Sequence, residues 1–216
     1  MVLIDYGSGN LASAEKALRA AAANVRAVCE VRTSDDPEVI AAADGLVLPG
    51  VGAFAACKAA LSSRDGVLEA MTEAAKRRGV PFLGICVGMQ LLADRGEELG
   101  GAPGLGWISG EVRRLKPAHP RCKLPHVGWN SLDAPSGRFE LRGPLFSGLT
   151  AGETMYFTHA FAFEPTHQET IIAETDHGGT FASAVVLGNL AGVQFHPEKS
   201  QSAGARLLNN FLEWRP

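Results

Sequence analysis

Positions 81 to 92 read Pro81-Phe82-Leu83-Gly84-Ile85-Cys86-Val87-Gly88-Met89-Gln90-Leu91-Leu92. An apolar strand runs through Gly-x-Cys-x-Gly into a helix, which is the pattern of a nucleophile elbow with Cys in place of Ser. Such a corner holds its central side chain in a strained, exposed position, and the flanking glycines let the backbone turn without Cβ clashes. The helix start that follows adds positive potential, which favours a thiolate. A lone cysteine is more often structural, but in this turn Cys86 is predicted to be a nucleophile.

The rest of the N-terminal half alternates short apolar runs with helical sequence. Buried strands are predicted at positions 2–4, 25–31, 46–48 and 82–85. Helices are predicted over 11–23 and 67–78, and a short one is expected to open at Ser34 with Pro37 just behind it. This alternation implies an α/β fold whose mostly parallel sheet is covered by helices on both faces.

The C-terminal half has a different character. Strand-like segments separated by turn residues lie at positions 111–115, 154–163, 170–174, 181–187 and 191–195, and they predict an antiparallel extension. A last helix is expected over 202–212, with one apolar face formed by Leu207, Leu208, Phe211 and Leu212.

Length and composition favour one globular domain over positions 1–216. The chain is 46% hydrophobic and 20% charged, and its net charge of −3 lacks the basic surplus of nucleic-acid-binding proteins. No leader or membrane-spanning run is recognisable, so we expect no membrane partner and a cytoplasmic location. The cysteines form no CxxC pair, and we predict no metal site and no cofactor.

A base and its orienting group are predicted in the segment Gly192-Val193-Gln194-Phe195-His196-Pro197-Glu198. His196 would take the thiol proton from Cys86 and later hand it to the leaving amine. Glu198 would accept a hydrogen bond from the other ring nitrogen, and Pro197 stiffens the backbone between them. A His-Pro-Glu turn alone is usually ordinary surface sequence, but with the elbow it completes a Cys-His-Glu set.

Backbone donors for an oxyanion are expected in Leu48-Pro49-Gly50-Val51-Gly52-Ala53-Phe54, a strand that ends in a glycine-rich turn. Acyl chemistry needs N–H groups aimed at the developing negative charge, and glycine allows close approach. The candidates are the N–H groups of the turn at Gly50, Val51 and Gly52, together with that of Val87. A plain tight turn is the alternative interpretation.

Taken together, these motifs resemble the class I, or triad, glutamine amidotransferases. The elbow and the His-Pro-Glu turn mark the class. Further segments resemble the glutaminase subunits of imidazole glycerol phosphate synthase: Ile4-Asp5-Tyr6-Gly7-Ser8-Gly9-Asn10, the segment 48–54, Pro125-His126-Val127-Gly128-Trp129-Asn130, Tyr156-Phe157-Thr158-His159 and the segment 194–201.

The resemblance implies a flavodoxin-like fold and the hydrolysis of L-glutamine through a thioester on Cys86. It also implies a heterodimer with a (βα)8-barrel cyclase, which uses the ammonia to make imidazole glycerol phosphate and aminoimidazole carboxamide ribotide in histidine biosynthesis. Gln90 and Glu98 would bind glutamine. Trp129, Tyr156 and Lys199 would face the cyclase, although core packing is an alternative for the two aromatic residues.

One difference from the family concerns Ala160 and Phe161, where the family usually has a small hydroxyl residue and Tyr. Two hydroxyl groups are thereby absent near the expected glutamine site.

Other interpretations remain open at this point. Gly7-Ser8-Gly9-Asn10-Leu11-Ala12 fits a dinucleotide-binding turn, and Glu30 falls near the position of a ribose-binding acid, so an oxidoreductase is one alternative. A glutaminase for the anthranilate, pyridoxal phosphate or guanylate pathway is another. A catalytically silent relative is disfavoured because Cys86, His196 and Glu198 are all present.

Overall fold

A computed structural model describes residues 1–26, 29–135, 140–141 and 143–216, without the side chain of Pro144. Its strands are β1 (Val2–Ile4), β2 (Arg32–Ser34), β3 (Leu46–Gly50), β4 (Phe82–Cys86), β5 (Arg95–Gly96), β6 (Ala102–Pro103), β7 (Gly110–Arg114), β8 (His126–Ser131), β9 (Thr154–His159), β10 (Phe161–Pro165), β11 (Ile171–Asp176), β12 (Thr180–Leu187) and β13 (Leu190–Val193). Its α-helices are α1 (Leu11–Ala22), α2 (Pro37–Ala41), α3 (Phe54–Ser62), α4 (Val67–Thr72), α5 (Val87–Gln90) and α6 (Gln201–Glu213).

The central sheet has the order β11-β12-β13-β4-β3-β1-β2. Strands β2, β1, β3, β4 and β13 are parallel, and β12 and β11 extend them in antiparallel fashion. β3 and β4 are buried along their whole length, as expected for strands with helices on both faces. The α/β fold with a mostly parallel sheet and an antiparallel extension is confirmed.

Helical periodicity accounts for the packing of the two long helices. α1 buries Ala14, Leu18 and Ala21, which share one face at helical spacing. α6 buries the predicted apolar face at Leu207, Leu208, Phe211 and Leu212, together with Ala203 and Gly204. The predicted helix over 67–78 begins as α4 and continues as a π-helical segment, Glu73–Arg77.

Two sequence-based predictions in the N-terminal half are wrong in position. The strand beside β1 is Arg32–Ser34, whereas the apolar run at 25–31 forms no strand in its described residues, and positions 27–28 lie outside them. The more polar segment pairs with β1, in a register that places Arg32 beside Val2. The short helix begins at Pro37 with Asp36 as its N-cap, since the Asp36 side chain accepts a hydrogen bond from the N–H of Glu38.

The C-terminal half contains more than the extension of the central sheet. A second sheet has the order β10-β7-β5-β6, and β8 pairs with β9 as an antiparallel ribbon. The predicted strand 154–163 is divided at Ala160 into β9 and β10. In the described parts of the chain, no helix has the length and apolar character needed to cross a bilayer.

The central sheet brings distant segments to one edge. β4 lies between β3 and β13, with Gly50 beside Cys86 and Val193 beside Ile85. Because the three strands are parallel, the turns that follow them meet at the carboxyl edge of the sheet. These are the turns that carry the predicted oxyanion donors, the cysteine and the histidine.

Candidate active site

Cys86 occupies the corner between β4 and α5 in a strained backbone conformation. Its φ is 54° and its ψ is −110°, which is unusual for a residue with a Cβ. A Cβ on Gly88 would collide with the carbonyl oxygen of Leu48, and one on Gly84 would collide with the backbone of Gly88. The glycines therefore let the backbone turn, as the sequence predicts, and Gly88 also lets the elbow pack against β3. The expected exposure of the cysteine is wrong, because Cys86 is only 3% exposed.

The helix after the elbow is shorter than expected. α5 contains four residues, Val87–Gln90, and then gives way to a turn. A single turn has only a few aligned peptide dipoles, so the expected support of a thiolate by the helix is small.

His196 and Glu198 form a buried pair after β13. The Nδ1 of His196 lies 2.8 Å from Oε1 of Glu198, and the two side chains are 1% and 4% exposed. Burial lowers the pKa of His196, but the interactions with Cys86 and Glu198 outweigh it and raise the pKa to about 9. The imidazole therefore favours its protonated form, which pairs with a thiolate.

Among the described residues, Nε2 of His196 has no partner in hydrogen-bonding geometry, and neither does Oε2 of Glu198. Nε2 is thus free to exchange a proton with a reacting group. The structure brings the predicted Cys-His-Glu set together at one edge of the sheet.

A small cavity opens beside Cys86 and His196. Its volume is about 190 Å³, and the residues that line it are Val51, Gly52, Cys86, Val87, Gln90, Glu98, Thr158, His159, Ala160, Phe161 and His196. This size suits an amino acid better than the drug-sized ligands that occupy pockets of about 300–1,000 Å³. A larger cleft of about 860 Å³, lined by Cys29 and Arg215 among others, contains none of the predicted site residues.

Three of the four predicted oxyanion donors border this cavity, namely Val51, Gly52 and Val87. Gly52 has a φ of 100°, a left-handed value that favours glycine. Gly50 does not line the cavity, because it is the last residue of β3 and pairs with Cys86 in the sheet. Its closeness to the elbow explains why it must be glycine, since a Cβ there would lie 2.7 Å from the backbone nitrogen of Gly88.

Side chains from other segments bind the carbonyl groups of the turn at 49–52. The Val51 carbonyl oxygen accepts hydrogen bonds from Oγ of Ser8 at 3.0 Å and from Sγ of Cys57 at 3.2 Å. The hydroxyl of Tyr6 donates to the Pro49 carbonyl oxygen at 2.7 Å, and burial raises the pKa of Tyr6 so that it stays a donor. We call Tyr6, Ser8 and Cys57 the turn clamp.

Gln90 and Glu98 both line the cavity, and each side chain is held by a hydrogen bond to the backbone. Nε2 of Gln90 donates to the Phe161 carbonyl oxygen at 2.9 Å, while Oε2 of Glu98 accepts from the N–H of Phe54 at 2.7 Å. The Phe161 position therefore contributes a backbone carbonyl to the site despite the missing hydroxyl group.

Comparison with known proteins identifies the family of this chain. The model of the family described as "Glutamine amidotransferase class-I" matches residues 2–214. "Imidazole glycerol phosphate synthase subunit HisH" of Caulobacter vibrioides is 53% identical over 100% of this chain and 99% of that protein. The protein of the same name from Rhodospirillum rubrum is 50% identical, with the same coverage. The chain belongs to the HisH branch of the class-I glutamine amidotransferases.

Solved structures agree with this family at the level of the fold. A crystal structure titled glutamine amidotransferase has a TM-score of 0.71 at 19% identity, covering 98% of this chain and 97% of the other. A glutamine amidotransferase from Thermotoga maritima has a TM-score of 0.60 at 16% identity, with 98% and 95% covered. Membership in the class-I amidotransferase family decides against the dinucleotide-binding alternative.

The three residues predicted to face a partner, Trp129, Tyr156 and Lys199, lie close together. Trp129 and Tyr156 are on the β8–β9 ribbon, and Lys199 lies beside it. Trp129 is 47% exposed and pairs across the ribbon with Tyr156, with ring centroids 6.0 Å apart. Nζ of Lys199 lies 5.5 Å from the centre of the Tyr156 ring. Val127, on the same strand as Trp129, is 57% exposed. Core packing is therefore wrong for Trp129, and Tyr156 is half-buried at the edge of this surface.

Sequence reasoning assigned no role to several residues of this amidotransferase site. They are Tyr6, Ser8 and Cys57 of the turn clamp, Thr158 and His159 of the cavity wall, and Gln194. Gln194 offered a signal in the sequence, because it is an amide residue between the apolar residues Val193 and Phe195. Ser8 lies in the glycine-rich turn that also suggested dinucleotide binding, and its actual partner, Val51, lies far away in the sequence.

Proposed function

We propose that this chain is the glutaminase subunit of imidazole glycerol phosphate synthase and hydrolyses L-glutamine at Cys86. The observation that carries this proposal is the buried Cys86-His196-Glu198 set at the wall of an amino-acid-sized cavity. The HisH relatives, matched over their full length, support the choice of synthase over the anthranilate, pyridoxal phosphate and guanylate enzymes.

Catalysis begins with attack of the Cys86 thiolate on the side-chain amide carbon of glutamine. The amide oxygen becomes an oxyanion, for which the N–H groups of Val51, Gly52 and Val87 are the candidate donors. His196, charged at neutral pH, gives its proton to the leaving nitrogen, which departs as ammonia. The product of this half-reaction is a γ-glutamyl thioester on Cys86.

Hydrolysis of the thioester uses the same groups in reverse. His196, now neutral, takes a proton from water, which attacks the thioester carbon. The C–S bond breaks, the electron pair returns to sulfur and glutamate leaves. Glu198 keeps the imidazole in one tautomer throughout, because its Oε1 accepts a hydrogen bond from the N–H at Nδ1.

Gln90 and Glu98 are proposed to bind the substrate. Glu98 has one carboxylate oxygen engaged by the N–H of Phe54, which leaves the other for the ammonium group of glutamine. Gln90 has its Nε2 engaged, which leaves its Oε1 as an acceptor.

Ammonia is proposed to pass to a (βα)8-barrel cyclase docked on the surface that carries Trp129, Tyr156 and Lys199. Two exposed apolar side chains on one ribbon, Val127 and Trp129, are consistent with a protein partner there. We also propose the cytoplasm as the compartment and positions 1–216 as one domain. The four cysteines are all free thiols, as is usual in a reducing compartment.

Separating the nitrogen source from the synthesis tests the proposal. We expect a complex of the Cys86→Ser chain with the cyclase to make no imidazole glycerol phosphate from glutamine. It should make the product at the wild-type rate from an ammonium salt at alkaline pH, where NH₃ is the nucleophile. Normal use of glutamine by this variant would eliminate Cys86 as the nucleophile. Failure of the wild-type chain to bind the cyclase at micromolar concentration would overturn the choice of synthase.

A further inference from the structure

Gln194 is a buried amide that the proposed mechanism has not used. It follows β13, is 0% exposed, and lies two positions before His196. Its Oε1 lies 2.9 Å from Nε2 of Gln90, and its Nε2 lies 3.6 Å from Sγ of Cys86. A buried amide needs partners for its donor and acceptor ends, so this arrangement of bonds is informative.

The orientation of both amides follows from a single backbone carbonyl. The Phe161 oxygen can only accept, so the Gln90 atom 2.9 Å from it must be the NH₂ nitrogen. The same nitrogen faces Gln194, which must therefore turn its oxygen toward Gln90. The NH₂ group of Gln194 is left on the side of Cys86. Flipping Gln194 would set two NH₂ groups against each other and point a carbonyl dipole at the sulfur.

His159 reinforces this orientation from the other side of the carbonyl. Its Nδ1 lies 2.8 Å from the Phe161 oxygen and must carry a proton to bond with it. Two donors therefore converge on the Phe161 oxygen, which fills both of its lone pairs. The Phe161 carbonyl oxygen therefore acts only as an acceptor. This determines which atom donates in each of the hydrogen bonds that link Phe161, Gln90 and Gln194.

We propose that Gln194 is a further catalytic residue, whose side-chain N–H donates a hydrogen bond to the thiolate of Cys86. A donor at this position stabilises charged sulfur and has little to offer a neutral thiol. The four-residue helix α5 supplies only a weak dipole. The N–H of Gln194 lies beside the sulfur, and protonated His196 attracts its charge electrostatically. The same bond stabilises the sulfur again when the thioester C–S bond breaks and the electron pair returns to it.

This inference rests on the proposed role of Cys86 as nucleophile, so its test measures the thiol directly. The rate of Cys86 alkylation by iodoacetamide is followed against pH in the full-length chain, and the modified peptide is quantified by mass spectrometry. Four other titratable side chains lie near Cys86, namely Tyr6, Glu98, His159 and His196, and all four are retained in the variants. Tyr6 stays neutral, since burial raises its pKa.

Two variants remove the donor in different ways. Gln194→Leu deletes it, and we expect the midpoint of the alkylation profile to move up by about one pH unit, which corresponds to about 1.4 kcal/mol. Gln194→Glu is nearly isosteric and places an acceptor beside the sulfur, so a larger upward shift is expected. The Glu variant also covers the case in which Leu fails to fold.

Asn189→Leu is the matched control. Like Gln194, Asn189 is a side-chain amide that makes hydrogen bonds, and it donates to the backbone carbonyl groups of Ala75 and Val80. It precedes β13 and so lies at the end of this strand that is far from the elbow. The Asn189→Leu variant should be less stable, but the pH profile of Cys86 alkylation should not shift. A profile unchanged in folded Gln194→Leu or Gln194→Glu overturns the role of Gln194. A wild-type Cys86 that reacts no faster than Cys122 would instead overturn the proposed nucleophile.

Discussion

The backbone N–H of His196 donates a 2.9 Å hydrogen bond to the carbonyl oxygen of Tyr156. Ser200 completes the connection: its hydroxyl donates to the His196 carbonyl oxygen at 2.6 Å and accepts from the N–H of Tyr156 at 3.0 Å. The candidate base is thereby fastened to β9, whose neighbour β8 carries the exposed Trp129. A protein bound to this ribbon would act on the position of His196 through backbone bonds.

The first prediction concerns Ser200, which is 1% exposed. Ser200→Ala removes both bonds and leaves two buried backbone groups without this partner, so we expect a loss of about 1–3 kcal/mol in the free energy of unfolding. Since His196 loses a positional restraint, kcat for glutamine should fall while KM changes little. Ser63→Ala serves as control, because the Ser63 hydroxyl makes an exposed bond to the Ala60 carbonyl. Equal effects of the two variants on kcat would contradict the coupling.

The second prediction ranks the catalytic set. Cys86→Ala should abolish glutamine hydrolysis with the fold intact, because the reacting sulfur is lost and Ala fits the space. His196→Ala should be nearly as severe, since members of such a set act as a unit. Glu198→Gln should be milder, because its part is orientation. Steady-state kinetics with circular dichroism checks the order, and acylation of Cys29, Cys57 or Cys122 by a glutamine analogue would refute it.

The third prediction tests the close packing of the elbow against β3. Gly88→Ala forces a methyl group into the Leu48 carbonyl oxygen, so we expect a loss on the order of 3 kcal/mol or more, or failure to fold. Gly79→Ala is the control, because no atom lies within 4 Å of the added Cβ. Its φ of 69° should still cost about 1–2 kcal/mol. Urea unfolding at pH 7.5 measures both.

The fourth prediction concerns activation. We expect the isolated chain to hydrolyse glutamine slowly and to be stimulated by the cyclase, and further by the cyclase's ligand, because uncoupled hydrolysis would waste ammonia. The turn at 49–52 is the element that can reorient its peptides, and Ser8 and Cys57 hold the Val51 carbonyl.

The double variant Ser8→Ala/Cys57→Ala should therefore change the ratio of stimulated to basal activity by severalfold, measured as glutamate release with and without the cyclase. Cys122→Ala should leave the ratio unchanged. Glutamate release by the isolated wild-type chain at the same rate as in the complex with the cyclase would contradict the predicted activation.

The fifth prediction concerns acid stability. Burial lowers the pKa of His159 to about 3 and that of His126 to about 4, while an unfolded histidine titrates near 6.5. As the pH falls, the unfolded state therefore binds protons at these two histidines before the folded state does. Their contribution to the free energy of unfolding is present above pH 6.5 and is lost as the pH falls toward 4. His196 has the opposite shift, so its contribution is lost only as the pH rises from 6.5 through about 9.

Urea unfolding between pH 7.5 and 4.5 measures this dependence. His126→Phe keeps a ring stacked on Phe157 but loses the polar contacts of His126 with His159 and Asn130, so it should be less stable at pH 7.5. Because it also removes one titrating group, it should lose less stability on acidification. An unchanged slope would contradict the assignment of His126 to the neutral form.

Short-range rules were enough to predict much of this molecule. Gly84-Ile85-Cys86-Val87-Gly88 specifies its own corner, because a Cβ on Gly84 would collide with the backbone of Gly88, four residues later. The alternation of apolar runs and helical periodicity predicted the parallel sheet for the same reason, since each signal lies within a few residues. One exception was β2, since Arg32–Ser34 pairs with β1 in place of the more apolar run before it. Another was the short helix, which begins at Pro37.

Tertiary structure alone decided which donors face which acceptors. Ser8 meets the Val51 carbonyl across 43 positions, and Gln194 meets Cys86 across 108. Neither pair is indicated by a sequence periodicity or by a local steric pattern, because each hydrogen bond depends on where its two groups lie after the sheet has formed. The sequence by itself predicted the nucleophile and its base, and it determined the sheet that carries them. The packing of the parallel strands determined which further polar groups surround the nucleophile, since only their common carboxyl edge brings those groups within bonding distance.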